Sequence, residues 1–140
     1  MAKSGPIVVV EDDEDDVIFL KDILQQLGTP NKLVWYSNCM DALQYLKATG
    51  VKPFFILCDV NLPLQNGIEF KRSIDLDPEL RRRSIPFIFY STSVALSYVN
   101  EAYSEMTVQG FFQKGQSYDE LKEVITYILS YWKRCHHPNN

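Results

Sequence analysis

The 140-residue chain predicts an α/β fold: an open, doubly wound, five-stranded parallel sheet with helices on both faces. Short continuous apolar runs alternate with stretches of helical spacing along nearly its whole length. The runs lack the apolar/polar alternation of a sheet with one wet face, which is the pattern of strands covered on both sides. No repeat or low-complexity linker interrupts them. With 46% hydrophobic and 23% charged residues the length suits one domain, which buries roughly two thirds of its unfolded surface. The expected division is a short extension over residues 1–6, the domain over 7–132 and a polar, frayed tail over 133–140.

Ile7 to Val10 reads as the first strand. Val17, Leu20, Leu24 and Leu27 then recur at helical spacing and stop at Gly28. "LVWYS" (33–37) is the second strand, followed by a helix carrying Ala42, Leu43 and Leu46 and closed by Gly50, with Asn38 and Asp41 as a capping pair. "FFILC" (54–58) is the third strand, entered through Pro53. A loop marked by Pro63 and Asn66-Gly67 leads to a helix over about 68–74. "PFIFYS" (86–91) is the fourth strand, and Val99, Ala102, Tyr103 and Met106 mark the next helix face. "GFFQ" (110–113) is the fifth strand. Ser117 and Glu120 form a capping box before the last helix, whose apolar face is Leu121, Val124, Ile125, Ile128, Leu129 and Trp132. Five helices are thus expected, with Arg81–Arg83 in a solvated segment after an Asp77-Pro78 cap.

Composition narrows the function classes. A net charge of −4, with no basic stripe beyond Arg81–Arg83, gives no electrostatic reason to bind a nucleic acid. The longest uncharged run, 85–100, is broken by Pro86 and four hydroxyl residues and falls short of the ~20 apolar residues a membrane span needs. The N-terminus lacks a signal peptide's apolar core. Cys39, Cys58 and Cys135 are odd in number and not at metal-like spacing, so a cytoplasmic chain with reduced thiols is expected. Cys58 reads as core filler, and the Cys135-His136-His137 run as a tail without function.

Ligands of open α/β sheets sit beyond the carboxyl ends of the strands. The residues there are Glu11, Asp12 and Asp13 after the first strand, Asp59 after the third, Ser91 and Thr92 after the fourth and Lys114 after the fifth. Six consecutive acids, Glu11 to Asp16, repel one another next to a low-dielectric core and need solvation or a cation. Alone, the run reads as a solvated helix start; together with Asp59 and Lys114 it reads as a hard-oxygen cation site of the kind that suits Mg²⁺. Asp15 and Asp16 fall in the first helical turn, where the helix dipole favours negative charge.

These pieces, "VVVEDD", "ILCDVNLPLQNG", "FYSTS" and "FFQKG", together resemble the response-regulator receiver domains of two-component signalling, from Ile7 to Trp132. The resemblance implies a flavodoxin-like strand order 2-1-3-4-5. It implies Asp59 as phosphoacceptor, a metal held by Glu11, Asp12, Asp59 and the backbone carbonyl of Asn61, phosphate contacts from Lys114 and Ser91, and a switch formed by Ser91 and Phe111. It further implies Mg²⁺, with Mn²⁺ as a substitute, a sensor histidine kinase or histidine phosphotransfer protein as donor, and an effector protein as reader. The chain is then expected to be a stand-alone regulator or relay carrier, a monomer or weak homodimer, and no enzyme beyond its own phosphorylation and dephosphorylation. Two departures stand out: Gly115 follows Lys114 where the family commonly has proline, so a loosely held Lys114 is expected, and Phe111 lacks the hydroxyl of the family's frequent tyrosine. Ser91 is expected to move on phosphorylation and to vacate space for the Phe111 ring. The competing functions are a receiver-like adapter that works without phosphorylation and an aspartate-nucleophile phosphohydrolase; the latter would need an acid where Asn61 stands.

Overall fold

The computed structural model describes residues 2–48, 50, 52–92 and 95–139. Its strands are β1 (Ile7–Val10), β2 (Leu33–Tyr36), β3 (Phe55–Cys58), β4 (Phe87–Ser91) and β5 (Gly110–Gln113). Its helices are α1 (Glu14–Gln26), α2 (Cys39–Ala48), α3 (Gly67–Leu76), α4 (Pro78–Arg83), α5 (Leu96–Glu105) and α6 (Tyr118–Arg134), preceded by a 3-10 turn at Ala2–Ser4. All neighbouring strands are parallel, in the order β2-β1-β3-β4-β5. The predicted architecture and strand order are therefore those observed. No helix of the described residues is long and apolar enough to cross a membrane.

Alternate strand residues feed two cores. Val8, Val10, Ile56, Cys58, Phe87 and Phe89 face α2 to α5, whereas Ile7, Val9, Phe55, Leu57, Ile88 and Tyr90 face α1 and α6. Burial on both faces explains why the central strands are apolar at every position. An aromatic file, Phe70, Phe87, Phe89 and Phe111, with ring centroids 5.0–5.9 Å apart, runs from α3 to the β5 edge. Truncating a fully buried member such as Phe87 or Phe89 to alanine costs about 3–5 kcal/mol.

Helix ends follow local chemistry. Gly28, at φ 69°, closes α1: its N–H donates to the Gln25 carbonyl (3.1 Å) and the Thr29 N–H to the Leu24 carbonyl (3.0 Å), a Schellman arrangement. The Ser117 hydroxyl accepts from the Glu120 N–H at the start of α6.

Three expectations fail. Arg81–Arg83 do not lie in a solvated loop but in a sixth helix, α4, because the Asp77 carboxylate caps it through the N–H groups of Glu79 and Leu80 and Leu80 anchors it in the core. Tyr103 is exposed rather than packed on the core face of α5; its hydroxyl accepts from the Phe111 N–H (3.0 Å). As far as Asn139 the tail is docked rather than frayed. His137 is only 5% exposed, its ring lies 5.2 Å from that of Trp132, and Asn139 Nδ2 donates to the Arg83 carbonyl (2.6 Å).

The docking fixes a tautomer. Asn139 N–H donates to His137 Nδ1 (3.1 Å), so Nε2 carries the proton and donates to the Phe54 carbonyl (2.7 Å). Burial, with the Lys3 charge in support, holds His137 below its ordinary value of 6.5, against the Phe54 bond. Between the two values the unfolded chain binds more protons, so this contribution to stability is complete above 6.5 and is lost as pH falls. The protection factor of the Asn139 amide, its exchange corrected for the intrinsic rate at each pH, is expected to fall with acidification, and His137→Gln to remove that dependence.

Candidate functional site

Three strand ends and one loop build the site. β1 delivers Glu11, whose N–H donates to the Tyr36 carbonyl and whose own carbonyl accepts from the Trp35 indole (2.7 Å). β3 delivers Asp59, whose N–H donates to the Val10 carbonyl (3.0 Å). Ser91 ends β4, and the Lys114 N–H donates to its carbonyl (2.9 Å), which sets Lys114 just beyond β5. Backbone bonds thus align residues from four parts of the chain at one sheet edge.

The side chains converge. Asp59 Oδ1 accepts from the Ser91 hydroxyl (2.6 Å) and the Asn61 N–H (3.1 Å), and Asp59 Oδ2 from the Lys114 ammonium (2.9 Å). Lys114 also donates to Glu11 Oε1 and to Asp16 Oδ2, the latter at 2.8 Å. Glu11 and Asp59 are buried, Asp12 is exposed, and one carboxylate oxygen from each lies within 4.8 Å of the others. This donor set fits Mg²⁺ or Mn²⁺: hard oxygens, few in number, open to water on the Asp12 side.

Electrostatics separate the two buried carboxylates. Burial, reinforced by the Asp59 charge, pushes Glu11 up to about 8 in spite of Lys114. Burial acts on Asp59 in the same sense, but hydrogen bonds from Ser91 and Lys114 outweigh it and hold Asp59 below its ordinary value. Burial opposes the Lys114 charge, yet its bonds to Asp16, Glu11 and Asp59 raise it above an ordinary lysine. Asp59 is accordingly an ionised, oriented carboxylate beside a fixed cation, which is what an oxygen nucleophile needs.

The acid run divides its labour. Glu11 and Asp12 belong to the oxygen cluster. Asp13 is the N-cap of α1, its side chain accepting from the Asp15 N–H (3.0 Å), while Glu14, Asp15 and Asp16 occupy the first turn. From the sequence alone Asp16 serves only the helix dipole; its ion pair with Lys114 has no local signal, since nothing near it sets Asp16 apart from Asp15.

Both departures resolve structurally. Lys114 is not loosely held: its side chain is 10% exposed and its ammonium is bound on three sides. Gly115 is required because a Cβ there would overlap the Glu120 side chain. The Ser91 hydroxyl donates to Asp59, and the Phe111 ring lies half-buried, 5.2 Å from Phe89.

The "DVNLPLQNG" loop folds back on Asp59. Asn66 caps α3 by accepting from the Glu69 N–H, and the Gly67 N–H donates to the Val60 carbonyl (2.8 Å). A Cβ on Gly67 would overlap the Asp59 carbonyl oxygen. Gly67→Ala is therefore expected to destabilise by about 1–3 kcal/mol or more through overpacking, measured as a lower denaturant midpoint. An unchanged midpoint would refute this close fit.

A cavity of about 500 Å³, lined by Leu27, Pro30, Phe54, Leu129 and Trp132 among others, lies between the end of α1 and α6, at the opposite end of the sheet from these carboxylates. It is not where the chemistry gathers.

Comparison with known proteins agrees with this geometry. A probable methanogenesis regulatory protein, FilR2 of Methanothrix harundinacea, is 28% identical over 130 residues, covering 90% of this chain and 82% of that protein. The crystal structure of the phosphorylated cyanobacterial phytochrome response regulator RcpA matches at 28% identity and a TM-score of 0.83, covering 94% of this chain and 96% of that one. The Mn²⁺-bound form of response regulator Rcp1 matches at 26% identity and a TM-score of 0.81 over the same shares. The response regulator receiver domain model matches residues 7–126, and with that span the chain belongs to the response regulator receiver domain family.

Proposed function

We propose that Asp59 accepts a phosphoryl group from a phosphohistidine, carried by a sensor histidine kinase or a histidine phosphotransfer protein, and that the modified surface controls a partner protein. The observation that carries this reading is the ionised Asp59 carboxylate held among Ser91, the Asn61 N–H and Lys114. In the step, an Asp59 oxygen forms a bond to phosphorus while the bond from phosphorus to the donor nitrogen breaks, its electron pair leaving with the imidazole. Lys114 and Ser91 are placed to donate to phosphoryl oxygens, and transfer needs little beyond such positioning and charge stabilisation. Glu11, Asp12, Asp59 and the Asn61 carbonyl would hold Mg²⁺ or Mn²⁺, which supplies positive charge against the phosphoryl oxygens. The phosphorylated RcpA and Mn²⁺-bound Rcp1 structures support a group and an ion of these kinds. The acyl phosphate is hydrolysable, so the chain catalyses only the making and loss of its own modification.

Incubation with acetyl phosphate and Mg²⁺, followed by mapping of the modified residue, tests the proposal. The adduct is expected on Asp59, and its formation to stop with a chelator. The metal has a separate readout. Mg²⁺ is expected to raise the melting temperature by mass action, with micromolar to millimolar affinity of the order set by so few protein ligands. Asp12→Ala is expected to weaken that shift severalfold; equal shifts in both proteins would rule out the ligand set.

A further inference from the structure

The third carboxylate at Lys114, that of Asp16, has no part in the reading above. Asp16 stands in the first turn of α1, is only partly exposed (29%), and accepts from Lys114 at 2.8 Å. A lysine ammonium has three N–H donors. Glu11, Asp16 and Asp59 each take a hydrogen bond from it. Two of these three acceptors, Glu11 and Asp59, belong to the oxygen cluster that would turn toward a divalent cation. Asp16 does not, and it comes from a helix rather than a strand end.

We propose that Asp16 is a positioning residue for Lys114: it anchors the ammonium from the α1 side and keeps it beside Asp59 when the metal and the phosphoryl group draw on the other two carboxylates. The inference rests on Asp59 being the phosphoacceptor. The geometry favours Asp16 for the task. Asp13 is committed to the helix cap, and Asp15 contributes its N–H to that same cap. Asp16 also borders a small gap shared with Glu11, Asp59, Tyr90 and Leu121. The Tyr90 ring centroid lies 5.9 Å from the Lys114 ammonium. Asp16 thus completes an enclosure that would otherwise leave one N–H of Lys114 without a charged acceptor.

The test uses Asp16→Asn, Asp16→Glu and Lys114→Met in the whole chain. Asp16→Asn is expected to slow adduct formation from acetyl phosphate by about tenfold, less than the ~100-fold that a 1 Å misplacement can cost. Its melting temperature is expected to change little, because the group is partly exposed. Asp16→Glu is expected to recover most of the rate, since a longer side chain on the same turn still reaches the ammonium. In the Lys114→Met background, Asp16→Asn is expected to have no further effect. A second readout needs no donor or metal: the Lys114 ammonium is expected to give a slowly exchanging ¹⁵N signal in wild type and to lose it in Asp16→Asn. If wild type takes up no phosphoryl group, the phosphoacceptor reading falls and the ammonium signal alone decides Asp16's hold on Lys114. If wild type takes it up and Asp16→Asn does so equally fast, or slows it as much without Lys114, the positioning role is overturned.

Discussion

Asp59→Asn is expected to leave the protein without the acid-labile adduct that wild type forms with acetyl phosphate and Mg²⁺. The substitution keeps the shape of the side chain but replaces an ionised oxygen by a neutral amide, which does not attack phosphorus. Its effects on the fold are secondary but predictable. Oδ1 now receives the Ser91 hydroxyl and the Asn61 N–H, and Oδ2 receives the Lys114 ammonium. An amide offers one acceptor and one donor group. If its oxygen faces Ser91 and Asn61, its NH₂ opposes the ammonium, so Lys114 is expected to lean further onto Glu11 and Asp16. The melting temperature therefore separates loss of the nucleophile from loss of the fold. An adduct that survives in a folded Asp59→Asn protein would place the phosphoacceptor elsewhere.

Lys114→Met is expected to destabilise the protein by an amount that depends on pH. It removes a cation shared by Glu11, Asp16 and Asp59, two of which are buried. Breaking a buried ion pair on one side costs about 3–5 kcal/mol, and carboxylates escape part of it by taking up protons. The pH dependence follows from the direction of the shifts. Without Lys114 the bonds that hold Asp59 below its ordinary value are reduced, and Glu11, already near 8, loses the influence that opposes its rise. The folded variant then binds more protons than its unfolded chain, so its stability falls as pH rises. The deficit relative to wild type is expected to be smaller in acid than at neutral pH, and Mg²⁺ to recover part of it. Denaturant midpoints across pH measure this; a deficit independent of pH would mean that the ammonium does not balance the buried carboxylates.

What the sequence determined by itself was the layout. Strands buried on both faces must be apolar throughout, and that signal is local and continuous in Ile7–Val10, Phe54–Cys58 and Pro86–Ser91. Because parallel strands all point one way, naming their ends was enough to bring Glu11, Asp12, Asp59, Ser91 and Lys114 to one edge, although Glu11 and Lys114 are 103 residues apart. What only the tertiary structure decided depends on a distant partner. Asp16 looks like Asp15 until Lys114, 98 residues away, reaches it. His137 looks like part of a polar tail until its Nε2–H donates a hydrogen bond to the Phe54 carbonyl, 83 residues back. Gly115 looks like a lost restraint until Glu120 closes over it. The Phe111 ring looks like an edge residue until it meets Phe89 on the neighbouring strand, 5.2 Å away. Burial patterns are written in neighbouring residues, whereas a hydrogen-bond or charge partner is chosen by packing, which is why the edge could be located in the sequence and the pairings at that edge could not.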